Sequence, residues 1–181
     1  MVLCLSKDQA RAIIDHAKRE TPREVCGIIG GLRGKTATII PVPNIARNPN
    51  THYELDHRAL AASLFALKNE GLSIIGFYHS HPGGDPIPSE ADIHEATYPD
   101  VAYLILGMRN IEPCFAAWKI TDGRVEPVQL VIGIHEINLN ADSSLSQTQQ
   151  WAIVIAAVVA FALVLIIAFK LLPPAPPYPV P

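Results

Sequence analysis

The stretch that decides the reading is G76-FYHSHPGGDPIPSEA-D92. An apolar run ends in two histidines one residue apart. A turn rich in glycine and proline follows, and then a serine and an aspartate three apart. In a strand, residues i and i+2 point to the same face, so His79 and His81 present two imidazoles side by side. Pro82 has no N–H and ends the ladder, leaving that strand end open. Neutral imidazoles are good zinc ligands, and Asp92, returning from the next segment, can add a carboxylate. Three protein ligands with a fourth position open is the pattern of a catalytic site. The same letters also have a local reading. Ser89-Glu90-Ala91-Asp92 is a capping box, in which Asp92 answers the N-terminus of its own helix. On the residues alone both readings stand.

Outward from this stretch, the apolar segment Leu72–Tyr78 reads as a strand and Ser89–Thr97 as a short helix. Ser6-Lys7-Asp8-Gln9 is a second capping box, opening a helix with Ala10, Ile13, Ile14 and Ala17 on one face. Val25–Ile29 and Thr36–Val42 read as strands around a turn at Gly30-Gly31-Leu32-Arg33-Gly34. Pro43–Tyr53 is a polar loop. Asp56 caps a helix with Leu60, Leu64 and Leu67 facing inward and Gly71 at its end. Val101–Met108, Cys114–Ile120 and Val125–Ile132 complete the strands, the last two joined through Asp122-Gly123. The order of helix, strands, helix, strand, helix, strands makes the class α+β, or mixed α/β.

The 181 residues suffice for one ordinary domain and an addition. The formal net charge of -3 and the scattered Lys and Arg exclude a nucleic-acid partner. Cys4, Cys26 and Cys114 form no C-x-x-C pair, which argues against a disulfide framework or a thiolate zinc cluster and for a reducing compartment. The absence of a P-C-x-x-C pair also disfavours a zinc deaminase. No secretory signal opens the chain. Residues 133–150 read as a polar linker. Trp151 to Phe169 is an uncharged apolar run, extended past Lys170 by Leu171 and Leu172. At 1.5 Å rise per residue it reaches roughly 30 Å, the thickness of a hydrocarbon core, so 151–172 reads as a transmembrane helix. Residues 173–181 form a Pro-rich tail in polyproline II. The expected arrangement is a single-pass membrane protein with its catalytic domain, residues 1–132, in the cytoplasm.

One upstream residue completes the pattern. Glu24, in TPREVCGIIGG, is followed by His79-Ser80-His81, then seven residues, Ser89, two residues and Asp92. This spacing, with REVCGIIGG and IIGFYHSHP around it, resembles the JAMM, or MPN-plus, family of zinc metalloproteases, in its prokaryotic type. The resemblance covers about residues 3–132. It implies that His79, His81 and Asp92 hold one zinc ion. It implies further that Glu24 is the general base that activates the attacking water and protonates the leaving amine, and that Ser89 hydrogen-bonds the bound water or the developing oxyanion. The implied fold is a curved, mostly antiparallel sheet flanked by helices, cytidine-deaminase-like in outline. The implied substrate is a peptide or isopeptide bond after the terminal glycine of a ubiquitin-like or sulfur-carrier β-grasp protein. The alternative is a non-enzymatic membrane adaptor built on the same fold.

Overall fold

Alternating apolar residues divide each central strand between two cores. Ile28, Phe77 and Tyr103 point to one side of the sheet, and Ile29, Tyr78 and Leu104 to the other. In the computed structural model the described residues are 1–133, 151, 152, 155, 156 and 158–163. Residues 1–133 carry β1 (Val2–Leu5), α1 (Lys7–Glu20), β2 (Cys26–Leu32), β3 (Lys35–Val42), α2 (His57–Asn69), β4 (Ser73–His81), α3 (Glu90–Glu95), β5 (Ala102–Gly107), β6 (Cys114–Thr121) and β7 (Arg124–Ile132).

The strands close into a barrel in the order β1-β3-β2-β4-β5-β6-β7. Four of the neighbouring pairs are antiparallel, and β4–β5 is parallel. Closure is the work of β1, which runs parallel to β7 from Val2↔Gln129 to Leu5↔Ile132 and meets β3 at the single pair Cys4↔Lys35. The curved sheet expected from the resemblance bends far enough to close. The element responsible is missing from the sequence reading because four residues directly before a helix cap carry no period to detect.

Helix α1 opens on the expected capping box: Ser6 Oγ accepts from Gln9 N and Gln9 Oε1 accepts from Ser6 N. Its Ile13 and Ala17 are wholly buried against one face of the sheet. Helix α2 covers the other face with Leu67, and Asp56 caps it through Ala59 N. Leu64, expected on the inward face, is exposed; the buried positions of α2 are Ser63 and Leu67. Burying a Leu or Ile side chain of this kind stabilises by about 1.5–3 kcal/mol.

Two boundaries also differ from expectation. The turn after β2 is Arg33-Gly34, both at positive φ, whereas Gly30 and Gly31 belong to the strand. Their lack of a side chain serves packing: a Cβ on Gly30 would overlap the Leu67 side chain, and one on Gly31 the Lys35 carbonyl. Strand β4 runs beyond Tyr78 through His81, since β5 pairs with it as far as His81↔Gly107. The Asp122-Gly123 hairpin has the two positive φ angles that its letters call for.

The chain divides into two compact units, Met1–Ile137 and Asn138–Pro181. The linker expected at 133–150 and the tail at 173–181 lie outside the described residues, except Gly133. So does much of the span expected at 151–172. Among the described residues no helix is long and apolar enough to cross a membrane.

Candidate metal centre

The end of β4 carries the two histidines, and the ladder sets their direction. His79 pairs with Cys26 on β2 and with Ile105 on β5, and shares the Phe77 face of the sheet. Its side chain is buried at 1% exposure, and that of His81 is half-buried at the rim. Helix α3 begins nine residues beyond His81 and lays Asp92 across both rings. His79 Nε2 is 3.3 Å from Asp92 Oδ1, His81 Nε2 is 3.4 Å from Asp92 Oδ2, and the two Nε2 atoms are 3.1 Å apart. Each residue thus turns one potential ligand atom to a common point, all within 4.8 Å of one another.

Asp92 also caps its helix. Its Oδ2 accepts from Ser89 N and from Ser89 Oγ, each at 2.7 Å, while Asp92 N donates to Ser89 Oγ at 3.1 Å. Cap and cluster share the carboxylate: Oδ2 carries the cap and also faces His81, while Oδ1 faces His79.

The turn between them is pinned from β5 and β6. Met108 N donates to His81 O and Gly84 O, Trp118 Nε1 donates to Pro86 O, and Arg109 is paired with Asp85 at 2.7 Å. His81 Nδ1 lies 2.9 Å from Asp85 O, which fixes that nitrogen as the N–H donor and leaves Nε2 with its lone pair.

Glu24 precedes β2 and is buried. Its N–H donates to Pro49 O and its carbonyl accepts from Asn44 Nδ2. Val25 is tied to β4 twice: Ser80 N donates to Val25 O, and Val25 N donates to Ser80 Oγ. Ser80, between the two histidines, thus anchors the backbone next to Glu24.

The electrostatics follow from burial and close charges. Burial pushes the Glu24 carboxyl up to about 7, with His81 opposing and Asp92 reinforcing. Burial lowers His79 and holds it neutral, against the pull of Asp92. Burial would lower His81 as well, but its contacts with Asp92 and the Asp85 carbonyl outweigh it and the net shift is upward. Burial would raise Asp92, yet the two histidines hold it well below the usual carboxylate range. The result is an ionised carboxylate facing a neutral imidazole, a donor set that suits a borderline divalent cation such as zinc.

A family model described as prokaryotic homologs of the JAB domain matches residues 6–121. The chain belongs to the prokaryotic JAB family. Among its JAB relatives, a desampylase of Haloferax volcanii is 39% identical over 57% of this chain and 78% of that protein. A CysO-cysteine peptidase of Mycobacterium tuberculosis is 33% identical over 72% of this chain and 92% of that protein. The crystal structure of a JAB1/MPN domain protein from Archaeoglobus fulgidus covers 71% of this chain and 99% of its own, at a TM-score of 0.50 and 19% identity, and shows a shared fold.

Within this JAB domain the structure brings His79, His81 and Asp92 together, with Ser89 bonded to Asp92 and Glu24 close enough to feel both His81 and Asp92. Three neighbours carry no signal in the letters. Tyr53 stacks on His79, the Asp85 carbonyl orients His81, and Asn44 braces Glu24. A tyrosine in a polar loop and an asparagine after a proline are ordinary loop residues until the fold places them.

Proposed function

We propose that this JAB-family chain is a membrane-anchored zinc peptidase. In this reading it hydrolyses the peptide or isopeptide bond after the terminal glycine of a ubiquitin-like or sulfur-carrier β-grasp protein. The chain is an enzyme of the peptidase class, and the names of its relatives support a conjugate-cleaving role. The observation that carries the reading is the convergence of His79 Nε2, His81 Nε2 and Asp92 Oδ1 beside the buried Glu24.

His79, His81 and Asp92 would hold a zinc ion, which when bound would supply the Lewis acidity that makes water a nucleophile near neutral pH. His79 contributes a lone pair because burial keeps it neutral, and Asp92 contributes the negative charge. Glu24 takes the proton of the attacking water and returns it to the leaving amine; a carboxyl raised by burial suits both transfers. Ser89 is exposed and its hydroxyl proton, given to Asp92 Oδ2 in this structure, is assigned to turn to the developing oxyanion, a role worth a few kcal/mol. The apolar segment 151–172 is the anchor, and the JAB domain lies on the cytoplasmic side.

The test uses the full chain and a β-grasp protein joined through its terminal glycine to a lysine side chain. About one zinc per chain is expected, with cleavage after the glycine that is lost on chelation and restored by zinc. Glu24→Gln should keep the metal and lose activity by about 10²–10⁴-fold. Full activity in that variant, or in chelated protein, overturns the assignment. Resistance to alkaline carbonate extraction, abolished by truncation before Trp151, checks the anchor.

A further inference from the structure

The two histidines are held in different ways. His81 Nδ1 has the Asp85 carbonyl at 2.9 Å. His79 Nδ1 is buried with no hydrogen-bond partner among the described residues. A metal-binding histidine almost always donates its second N–H to an acceptor, which fixes the ring and aims the ligating nitrogen. What His79 has instead is Tyr53, whose ring lies on the imidazole at a centroid distance of 4.3 Å and an interplanar angle of 19°.

Tyr53 is itself firmly placed. Asn44 clamps both of its neighbours: Nδ2 donates to His52 O at 3.0 Å and Oδ1 accepts from Glu54 N at 3.1 Å. Ile45 N donates to Glu54 O, and Asn44 bridges to Leu55. The loop therefore presents one aromatic face at a fixed height over one imidazole.

We infer that Tyr53 is the positioning residue for His79, its ring doing by stacking what the Asp85 carbonyl does for His81 by hydrogen bonding. The stack fixes the plane of the imidazole, and Asp92 Oδ1 fixes which edge faces the site. The contact also favours the metal-loaded state. Coordination draws electrons from the imidazole and leaves it partly positive, and a phenol face attracts positive charge. The aromatic face is what matters, so phenylalanine should serve and an aliphatic residue should not.

This inference rests on the metal-centre reading above, and the experiment separates the two. Zinc affinity is measured by chelator competition on the full chain for wild type, Tyr53→Phe and Tyr53→Leu, beside melting curves of the metal-free proteins. The expected result is a loss of about tenfold or more for Tyr53→Leu, retention within about twofold for Tyr53→Phe, and similar melting of all three metal-free proteins. Asn44→Ala, which frees the loop but keeps the ring, should give an intermediate loss and serves in place of Tyr53→Leu if that variant fails to fold. Equal affinity in wild type and Tyr53→Leu overturns the inference and leaves the metal centre standing. An equal loss in Tyr53→Phe and Tyr53→Leu also overturns it, since the stack would then be irrelevant. A wild type that binds no zinc overturns both.

Discussion

Gly27 lies opposite Tyr78 in the β2–β4 ladder, and a Cβ there would overlap both the Tyr78 ring and the Ile40 carbonyl. The ring cannot withdraw, because Tyr78 is wholly buried and its hydroxyl lies 3.0 Å from His16 Nδ1. Gly27→Ala is expected to destabilise the domain by about 1–3 kcal/mol, read from the midpoint of chemical denaturation. At this scale the letters of the site were informative in kind and silent in geometry. SEAD permits a cap or a ligand, and only the placement of α3 shows that Asp92 does both, with Oδ1 free of the cap. Tyr53 was not legible at all, because its meaning comes from Asn44 nine residues earlier and from His79 on a different strand.

At the scale of elements, helix α1 carries a built-in pH response. His16 is lowered from its usual value, first by burial and next by Arg19, with Glu20 opposing. As pH falls through 6.5 the unfolded chain takes up the proton before the folded one does, so folding stability is lost on acidification. Comparing denaturation midpoints at pH 7.5 and 5.0, His16→Gln should lose less stability than wild type. The helices were legible from capping boxes and 3.6-residue spacing, since those signals are local. The apolar run of β4 stops at Tyr78, while its ladder continues through His81. The extension is supported by β5, whose partnership with β4 is a long-range fact. The turn expected over residues 30–34 narrows to Arg33-Gly34 for a related reason. Glycine marks close packing as well as turns, and only Leu67 and the Lys35 carbonyl distinguish the two uses.

At the scale of the whole molecule, the three cysteines report on one fold. Cys26 is wholly buried, lies 3.5 Å from Val42 O through Sγ, and has its thiol pushed up to about 12, by burial first and Glu24 second. Cys114 is exposed. Native protein treated with iodoacetamide at pH 8 should be alkylated at Cys114 and spared at Cys26, whereas denatured protein should react at all three cysteines by mass spectrometry. The expected class, α+β, agrees with the architecture. The closure of the sheet was not legible, because it depends on four residues whose partners lie at the far end of the domain.

That closure has a consequence for how the chain is made. Val2 pairs with Gln129, so β1, made before the other strands of the domain, has its main partner in the last of them. Until β7 arrives, Leu3 and Leu5 have only the single bridge to β3, and an apolar edge stays uncovered on the nascent polypeptide. Pairing across so long a separation is intrinsically slow. In pulse-labelled hydrogen exchange during refolding, the amides of Leu3 and Leu5 should gain protection after those of β2 and β4, Cys4 being bonded to Gly34 instead; earlier protection would show that the barrel closes first. During synthesis, β1 is the strand of this domain left longest without its main partner, and the one a chaperone would shelter.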